Sequence, residues 1–268
     1  MDIKKKKYFV IGNPIDHSLS PKLQNQWLKQ NNINATYDKI KLEENDIENF
    51  IENIKKENIA GCNVTVPFKA KVIPFLDKLS QDAEHTQSVN TIVFDDGNLI
   101  GHNTDITGFL KAIQSLDFDI KGKKIFVLGA GGVVPSIIYA LNKMNISEIT
   151  ICNRTRFKAD NLKSKIKNIK VIDWGVVPDF DVIINATSLG LNNESIKLDL
   201  SKVGNNKLFY DVIYNPPETN FLKLGKKLGN MAENGKLMFI YQALESFKLW
   251  HGIEPRHDNE IVQLLEND

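Results

Sequence analysis

Apolar and polar positions alternate between two periods along this chain, and the two periods predict a succession of strands and helices. Tyr8 to Ile11 is a short apolar run that reads as a strand and leads into the turn Gly12-Asn13-Pro14. Ser20-Pro21 predicts a helix start, with Ser20 as N-cap and proline at the first helical position, and that helix runs to about Asn31. Thr36 to Leu42 alternates like a strand, and Asp46 to Asn58 places Ile47, Phe50, Ile51 and Ile54 on one helical face. Valines then alternate with polar residues until Pro67 stops the strand, and a helix is predicted from Lys69 to Leu79. Asp82 to Gln87 is a short helix and Val89 to Phe94 a strand. Asp95-Asp96-Gly97-Asn98 is a hairpin turn signal, and Leu99 to His102 is the returning strand. Asn103-Thr104-Asp105 opens a helix that reaches about Leu116.

The second half has a stricter rhythm. An apolar run after Lys123 ends in Gly129-Ala130-Gly131-Gly132, and Val134, Ile137, Ile138 and Leu141 then share a helical face. Strands follow at Ser147 to Asn153, Ile169 to Trp174, Phe180 to Thr187 and Lys207 to Ile213, with a helix over Phe157 to Lys165. With the strand before Gly129 this makes five, the βαβ rhythm of a Rossmann-type sheet. Ala186 to Asn206 is weakly patterned loop. Helices close the chain at Phe221 to Leu228, Met238 to Trp250 and His257 to Leu265, the second with Ile240, Leu244 and Phe247 on one stripe.

Composition narrows the classes. A chain of 268 residues is most simply two domains, and 34 Lys and Arg against 33 Asp and Glu leave no basic excess for a nucleic-acid partner. Hydrophobic content of 42% with 25% charged residues is ordinary for a soluble globular protein. No stretch approaches transmembrane length. Lys4 to Lys7 read as a solvated lead-in to the first strand. Cys62 and Cys152 have neither disulfide-framework nor zinc spacing, so reduced thiols and a cytoplasmic location are expected.

The glycine cluster is the first candidate site. Strand, glycine turn and helix are the setting in which such a cluster binds a pyrophosphate, the backbone approaching closely and the helix N-terminus facing the anion. Val134 departs from the small residue usual at the last position of that fingerprint. After the next strand, where an NAD site usually offers a carboxylate, the chain has Asn153-Arg154-Thr155-Arg156-Phe157-Lys158. Arg154 and Lys158 suit a 2′-phosphate, so NADP is expected over NAD. Ser18 and Ser20 beside a helix N-terminus suit a carboxylate, although pattern alone favours a simple capped surface helix. Lys69 in the first turn of a helix opposes the dipole and needs a carboxylate to be functional, and Asp105 on pattern alone is an N-cap.

Taken together these pieces resemble the shikimate dehydrogenase family across nearly the whole chain. The matching stretches are Gly12-Asn13-Pro14 with His17-Ser18-Leu19-Ser20-Pro21, Asn63-Val64-Thr65-Val66-Pro67-Phe68-Lys69, Val89-Asn90-Thr91 and Asn103-Thr104-Asp105 with Gly108. They continue through Gly129 to Gly132, Asn153-Arg154-Thr155, Asn185-Ala186-Thr187, Tyr210 to Pro216, Asn234-Gly235 and Tyr241-Gln242-Ala243.

The resemblance implies an α/β fold of two domains. Residues 1–105, completed by C-terminal helices in 237–268, would form the substrate-binding domain, and 106–236 a Rossmann-type, parallel-sheet NADP-binding domain. It implies reversible NADPH-dependent reduction of 3-dehydroshikimate to shikimate, with Lys69 and Asp105 as the catalytic pair. Ser18, Ser20 and Tyr214 would hold the substrate carboxylate, and Thr65, Asn90 and Gln242 the ring oxygens. Gly129, Ala130, Gly131, Gly132, Asn153, Arg154, Thr155, Lys158, Thr187 and Gly235 would line the cofactor, with no metal. The expected partners are a small-molecule substrate and NADP, with no nucleic acid and no membrane, in a monomer or homodimer. The chain departs from the family at Gln24 (often His), Gln87-Ser88 (usually Gly-Ala) and Leu237 (often Gly). Quinate or aminoshikimate dehydrogenase, or a ligand-sensing protein on the same scaffold, stay open as alternatives.

Overall fold

The strands predicted from alternation are all present, divided between two six-stranded sheets. The computed structural model describes residues 5–56 and 59–265, so Lys4 and the end of the helix expected to reach Asn58 lie outside the described residues. The chain separates into two units, Met1–Thr107 with Ile240–Asp268, and Gly108–Phe239.

The first unit runs β1 (Lys6–Gly12), α1 (Ser20–Gln30), β2 (Ala35–Lys41), α2 (Ile47–Lys56), β3 (Ile59–Val64), β4 (Lys78–Leu79), α3 (Gln81–Thr86), β5 (Thr91–Asp95) and β6 (Asn98–His102). Its strand order is β2-β1-β3-β5-β6-β4. β1 is parallel to β2 and β3, while β5 is antiparallel to β3 and β6. The hairpin between β5 and β6 turns through Asp96 and Gly97, both at positive φ, the pairing a two-residue primed turn requires. The apolar face of α2 (Ile47, Phe50, Ile51, Ile54) packs in one cluster with Ile11, Val64, Phe68, Val72 and Ile92.

α4 (Asp105–Gln114) begins in the first unit and continues into the second. There follow β7 (Lys124–Leu128), α5 (Val134–Lys143), β8 (Glu148–Cys152), α6 (Arg156–Lys165), β9 (Ile169–Ile172), β10 (Val182–Asn185), β11 (Leu208–Asp211), α7 (Asn220–Lys227) and β12 (Met231–Glu233). α8 (Lys236–His251) returns to the first unit, and α9 (Asn259–Leu264) ends the fold. The second sheet is parallel throughout, in the order β12-β11-β10-β7-β8-β9. Strand order reverses at β7, so the turns after β7 and β10 flank the crevice where open α/β sheets take ligands. β12 has three residues, too few for a periodic signal, and the sequence reading does not contain it.

Two local expectations fail. Residues 69–79 do not form a helix: the N–H groups of Lys71 and Val72 close turns on the Phe68 carbonyl, Ile73–Phe75 is a single 3-10 turn, and Lys78–Leu79 is β4. The cause is Pro74, which lacks an N–H and clashes with the preceding turn in a helix interior. Ser20 is not the N-cap of α1 either. Leu19 occupies that position without a side-chain bond, and Ser20 is already helical. Among the described residues no helix is long and apolar enough to cross a membrane.

Candidate functional site

In the first unit, the turn after β3 carries Lys69 back toward the sheet. Its carbonyl accepts the Val89 N–H (2.8 Å), which fixes Lys69 beside the residue that precedes β5, Asn90. Lys69 and Asp105 are both buried, and the ammonium donates to the Oδ2 of Asp105. The lysine that lacked a carboxylate in the sequence thus has one. The electrostatic premise changes, because Lys69 sits in a turn and has no helix dipole to oppose.

The other oxygen of Asp105 is also committed. Oδ1 accepts from Asn90 Nδ2 at 2.9 Å. The backbone N–H of Thr104 donates to Asn90 Oδ1 at 2.7 Å, and because an N–H can only donate, the amide of Asn90 has one orientation, its NH₂ toward Asp105. Gln242, on α8, lies with Oε1 3.4 Å from the same Nδ2. Lys69, Asp105, Asn90 and Gln242 therefore form one constellation. A buried ion pair is costly to form unless its remaining hydrogen-bonding capacity is met, and breaking it by removing one partner is strongly destabilising. Here the capacity of the carboxylate is met on both oxygens.

Ser18 and Ser20 stand at the start of α1. Ser18 Oγ accepts the Ser20 N–H (3.3 Å), and Ser20 is buried. Tyr37 donates to Asn63 Oδ1 at 2.6 Å, and burial holds its phenol well above the usual range. Thr65 is half-buried in the turn between β3 and Lys69, with its N–H on Ile11 O (2.9 Å). Tyr214 belongs to the second unit, where its ring stacks on Phe239 at 4.5 Å.

In the second unit the glycines divide by purpose. Gly129 has φ +112°, and a Cβ there would lie 2.8 Å from the Ala186 carbonyl oxygen, so this turn demands glycine on its own account. Gly131 is different: exposed, with nothing within 4 Å of an added Cβ. No neighbour in the chain requires glycine at Gly131, and the open backbone beside α5 fits the approach of a pyrophosphate. Ala130 and Gly132 complete this rim, half-exposed and exposed. Gly235 is buried with its Cα side against Val212, whose carbonyl oxygen would be 2.1 Å from a Cβ, so close packing accounts for it without a ligand. Thr187 is held by Asn185, which in turn donates to the buried Asp211 at 3.0 Å. Desolvation pushes the carboxyl of Asp211 up despite hydrogen bonds from Thr219, Ile213 and Asn185.

After β8, Asn153 Nδ2 donates to Thr155 O (2.8 Å), shaping the turn that enters α6. Three cations follow, and the structure separates them. Arg156 is engaged by Asp160 (3.2 Å) and Asp173 (2.5 Å). Arg154 and Lys158 are exposed and have no ion-pair partner among the described residues. Two cations without counterions beside the glycine turn fit a 2′-phosphate. Cys62 and Cys152 are buried, and burial pushes the Cys152 thiol up to about 12, so neither serves as a nucleophile. Among the described residues no group of three or more His, Cys, Asp or Glu could hold a metal ion.

The departures also find physical places. Gln87 caps α3 in the left-handed region (φ +49°), with its side chain donating to Glu84 O, which explains why glycine suits that position. Gln24 is buried and donates to Ala243 O on α8 at 3.0 Å. The sequence reading missed two site neighbours, Tyr37 and Ser246. Ser246 follows Gln242 by one helical turn, and a serine on the buried stripe of α8 is the signal that could have found it.

The sequence and the fold both have relatives among known proteins. Residues 10–92 match the shikimate dehydrogenase substrate binding domain, and 111–216 the shikimate / quinate 5-dehydrogenase family. A shikimate dehydrogenase (NADP(+)) of Pelagibacter ubique is 55% identical, over 98% of this chain and 99% of its own. A shikimate dehydrogenase solved in complex with NADP+ superposes with a TM-score of 0.91 at 33% identity, covering 99% of this chain and 96% of that one. The enzyme from Aquifex aeolicus gives 0.91 at 35% identity, with all of both chains covered. Two family models that together span most of the chain, and a relative 55% identical over 98% of it, agree, and the chain belongs to the shikimate dehydrogenases.

Proposed function

We propose that this chain catalyses the reversible NADPH-dependent reduction of 3-dehydroshikimate to shikimate, with Lys69 and Asp105 at the reacting carbonyl. The observation that carries the assignment of roles is the buried Lys69–Asp105 pair, held on its far side by Asn90. NADPH, when bound, supplies the hydride to the carbonyl carbon. Lys69 as ammonium then donates a proton to the oxygen that becomes an alkoxide, and its positive charge stabilises that oxygen before transfer. Asp105 orients the ammonium through Oδ2, and its contact with Asn90 keeps the carboxylate from rotating.

Thr65, Asn90 and Gln242 bind ring hydroxyls, and Ser18 and Ser20 bind the carboxylate with Tyr214. The carboxylate favours these contacts, because a hydrogen bond to a charged acceptor contributes more than one to a neutral oxygen. Arg154 and Lys158 hold the 2′-phosphate, and the backbone of Gly129 to Gly132 faces the pyrophosphate. Thr187, Asn153, Thr155 and Gly235 complete the cofactor site. On this reading the first unit is the substrate domain and the second the NADP domain, in a cytoplasmic monomer or homodimer. The two free, buried cysteines support the cytoplasmic setting.

The test is the purified chain with NADPH and 3-dehydroshikimate, followed by loss of NADPH absorbance, with quinate and NADP+ as the parallel assay. Turnover of the dehydroshikimate pair well above quinate is expected. No turnover with saturating cofactor would leave a ligand-sensing protein instead.

A further inference from the structure

We infer that Ser246, a residue of no recognised motif, is a positioning residue that sets Gln242 against Asn90. The inference rests on the proposed role of Gln242 as a substrate contact. Ser246 is fully buried on α8, one turn beyond Gln242. Its hydroxyl donates back to the Gln242 carbonyl at 3.0 Å, and a carbonyl can only accept, so the one proton of Ser246 is spent on the residue it positions.

Both lone pairs of Ser246 then face the sheet. Asn63 Nδ2 donates to it at 3.0 Å, and the hydroxyls of Thr91 and Thr104 lie at 2.8 and 3.2 Å. The direction of the Asn63 bond is fixed, because the same amide nitrogen also faces the Asn90 carbonyl at 3.0 Å and the Asn63 oxygen receives Tyr37. Thr104 accepts from Asn90 Nδ2 at 2.9 Å, and Thr91 Oγ1 lies 3.2 Å from Asn90 Oδ1. One hydroxyl thus ties the turn of α8 that carries Gln242 to both threonines that orient Asn90. The direct contact between Gln242 and Asn90 is long, at 3.4 Å. Ser246 thus fixes the turn of α8 beneath Gln242 against the groups that hold Asn90.

A merely structural serine would lower stability and leave the kinetic constants alone. A positioning serine should act on one substrate and through one residue. Ser246→Ala is expected to raise the KM for shikimate about three- to tenfold, the worth of one buried hydrogen bond, with the KM for NADP+ unchanged. Ser246→Cys, of similar volume and with a weaker donor, should fall between the two and serves if the alanine variant does not fold. Gln242→Ala should raise the shikimate KM by itself, and adding Ser246→Ala to it should change nothing further. Multiplying losses in the double variant, or a wild-type shikimate KM in both Ser246 variants while Gln242→Ala is impaired, overturns the inference and leaves the site reading standing. A wild-type KM in Gln242→Ala removes Gln242 from the site and overturns both.

Discussion

The two units prepare for their ligands in opposite ways. In the first, the pair proposed for catalysis is buried and its hydrogen bonds are used: Lys69 donates to Asp105, Asn90 donates to Asp105, and the Thr104 N–H donates to Asn90. In the second, several groups assigned to the cofactor are open: Gly131, Gly132, Arg154 and Lys158 are exposed, and the two cations have no ion-pair partner among the described residues. Charge follows the same division, since basic residues concentrate in 108–239 and the acidic excess lies in the other unit. The difference has a physical reason. Groups that act on a reacting atom must be oriented beforehand, and burial with full hydrogen bonding supplies that. Groups that capture a diffusing polyanion gain from being open and uncompensated.

If the contrast is right, mutations in the two units should fail differently. The largest effect is expected at Lys69. Lys69→Ala should lower kcat by about 10²–10⁴-fold, the range for a positioned general acid, with little change in shikimate KM. A loss confined to KM would make Lys69 a binding residue. In the second unit the loss should fall on cofactor affinity. Arg154→Ala should raise the NADPH KM about 10–100-fold and the NADH KM little, as expected for one charge-assisted phosphate contact. Arg156→Ala sharpens the comparison. Its ion pairs are exposed, so stability should hardly change while the NADPH preference persists. Equal NADPH effects at Arg154 and Arg156 would contradict the separation.

Two smaller effects concern stability. The His251 ring packs on Tyr8 and Phe247, its Nε2 has no hydrogen-bond partner among the described residues, and burial together with Lys6 lowers its pKa to about 4. The unfolded chain therefore binds more protons between about pH 6.5 and 4. The stability from a neutral His251 is complete above that window and is lost as pH falls through it. Melting temperatures measured from pH 7 to 4 should fall, and His251→Phe should flatten the slope. Smallest is Gln87→Gly: relief of a left-handed glutamine, offset by the entropy of glycine, should leave a gain of about 0.5–1 kcal/mol in chemical denaturation. Destabilisation there would show that the Gln87 bond to Glu84 outweighs the backbone cost.

How much was legible in the sequence also differs between the units. The parallel sheet was readable nearly strand for strand, because buried parallel strands are continuous apolar runs between helices of clear period. β12 escaped through its length alone. In the first unit, Pro74 was a visible sign against a helix over 69–79, and only the fold shows what replaces it. The partners of Ser246 were not legible, since the partners of a buried hydroxyl are set by packing between distant segments. The same holds for the three cations after β8. Only the placement of Asp173 reveals that Arg156 is neutralised and Arg154 is not.

The central claim is that Lys69 and Asp105 act as a unit, and it is tested most directly by kcat in the cycle of Lys69→Ala, Asp105→Asn and the double variant. Asp105→Asn keeps the shape and removes the charge that orients the ammonium, so its kcat should fall by orders of magnitude. The double variant should then be scarcely worse than the poorer single one. A near-wild-type kcat in Asp105→Asn, or losses that multiply in the double variant, would contradict the account.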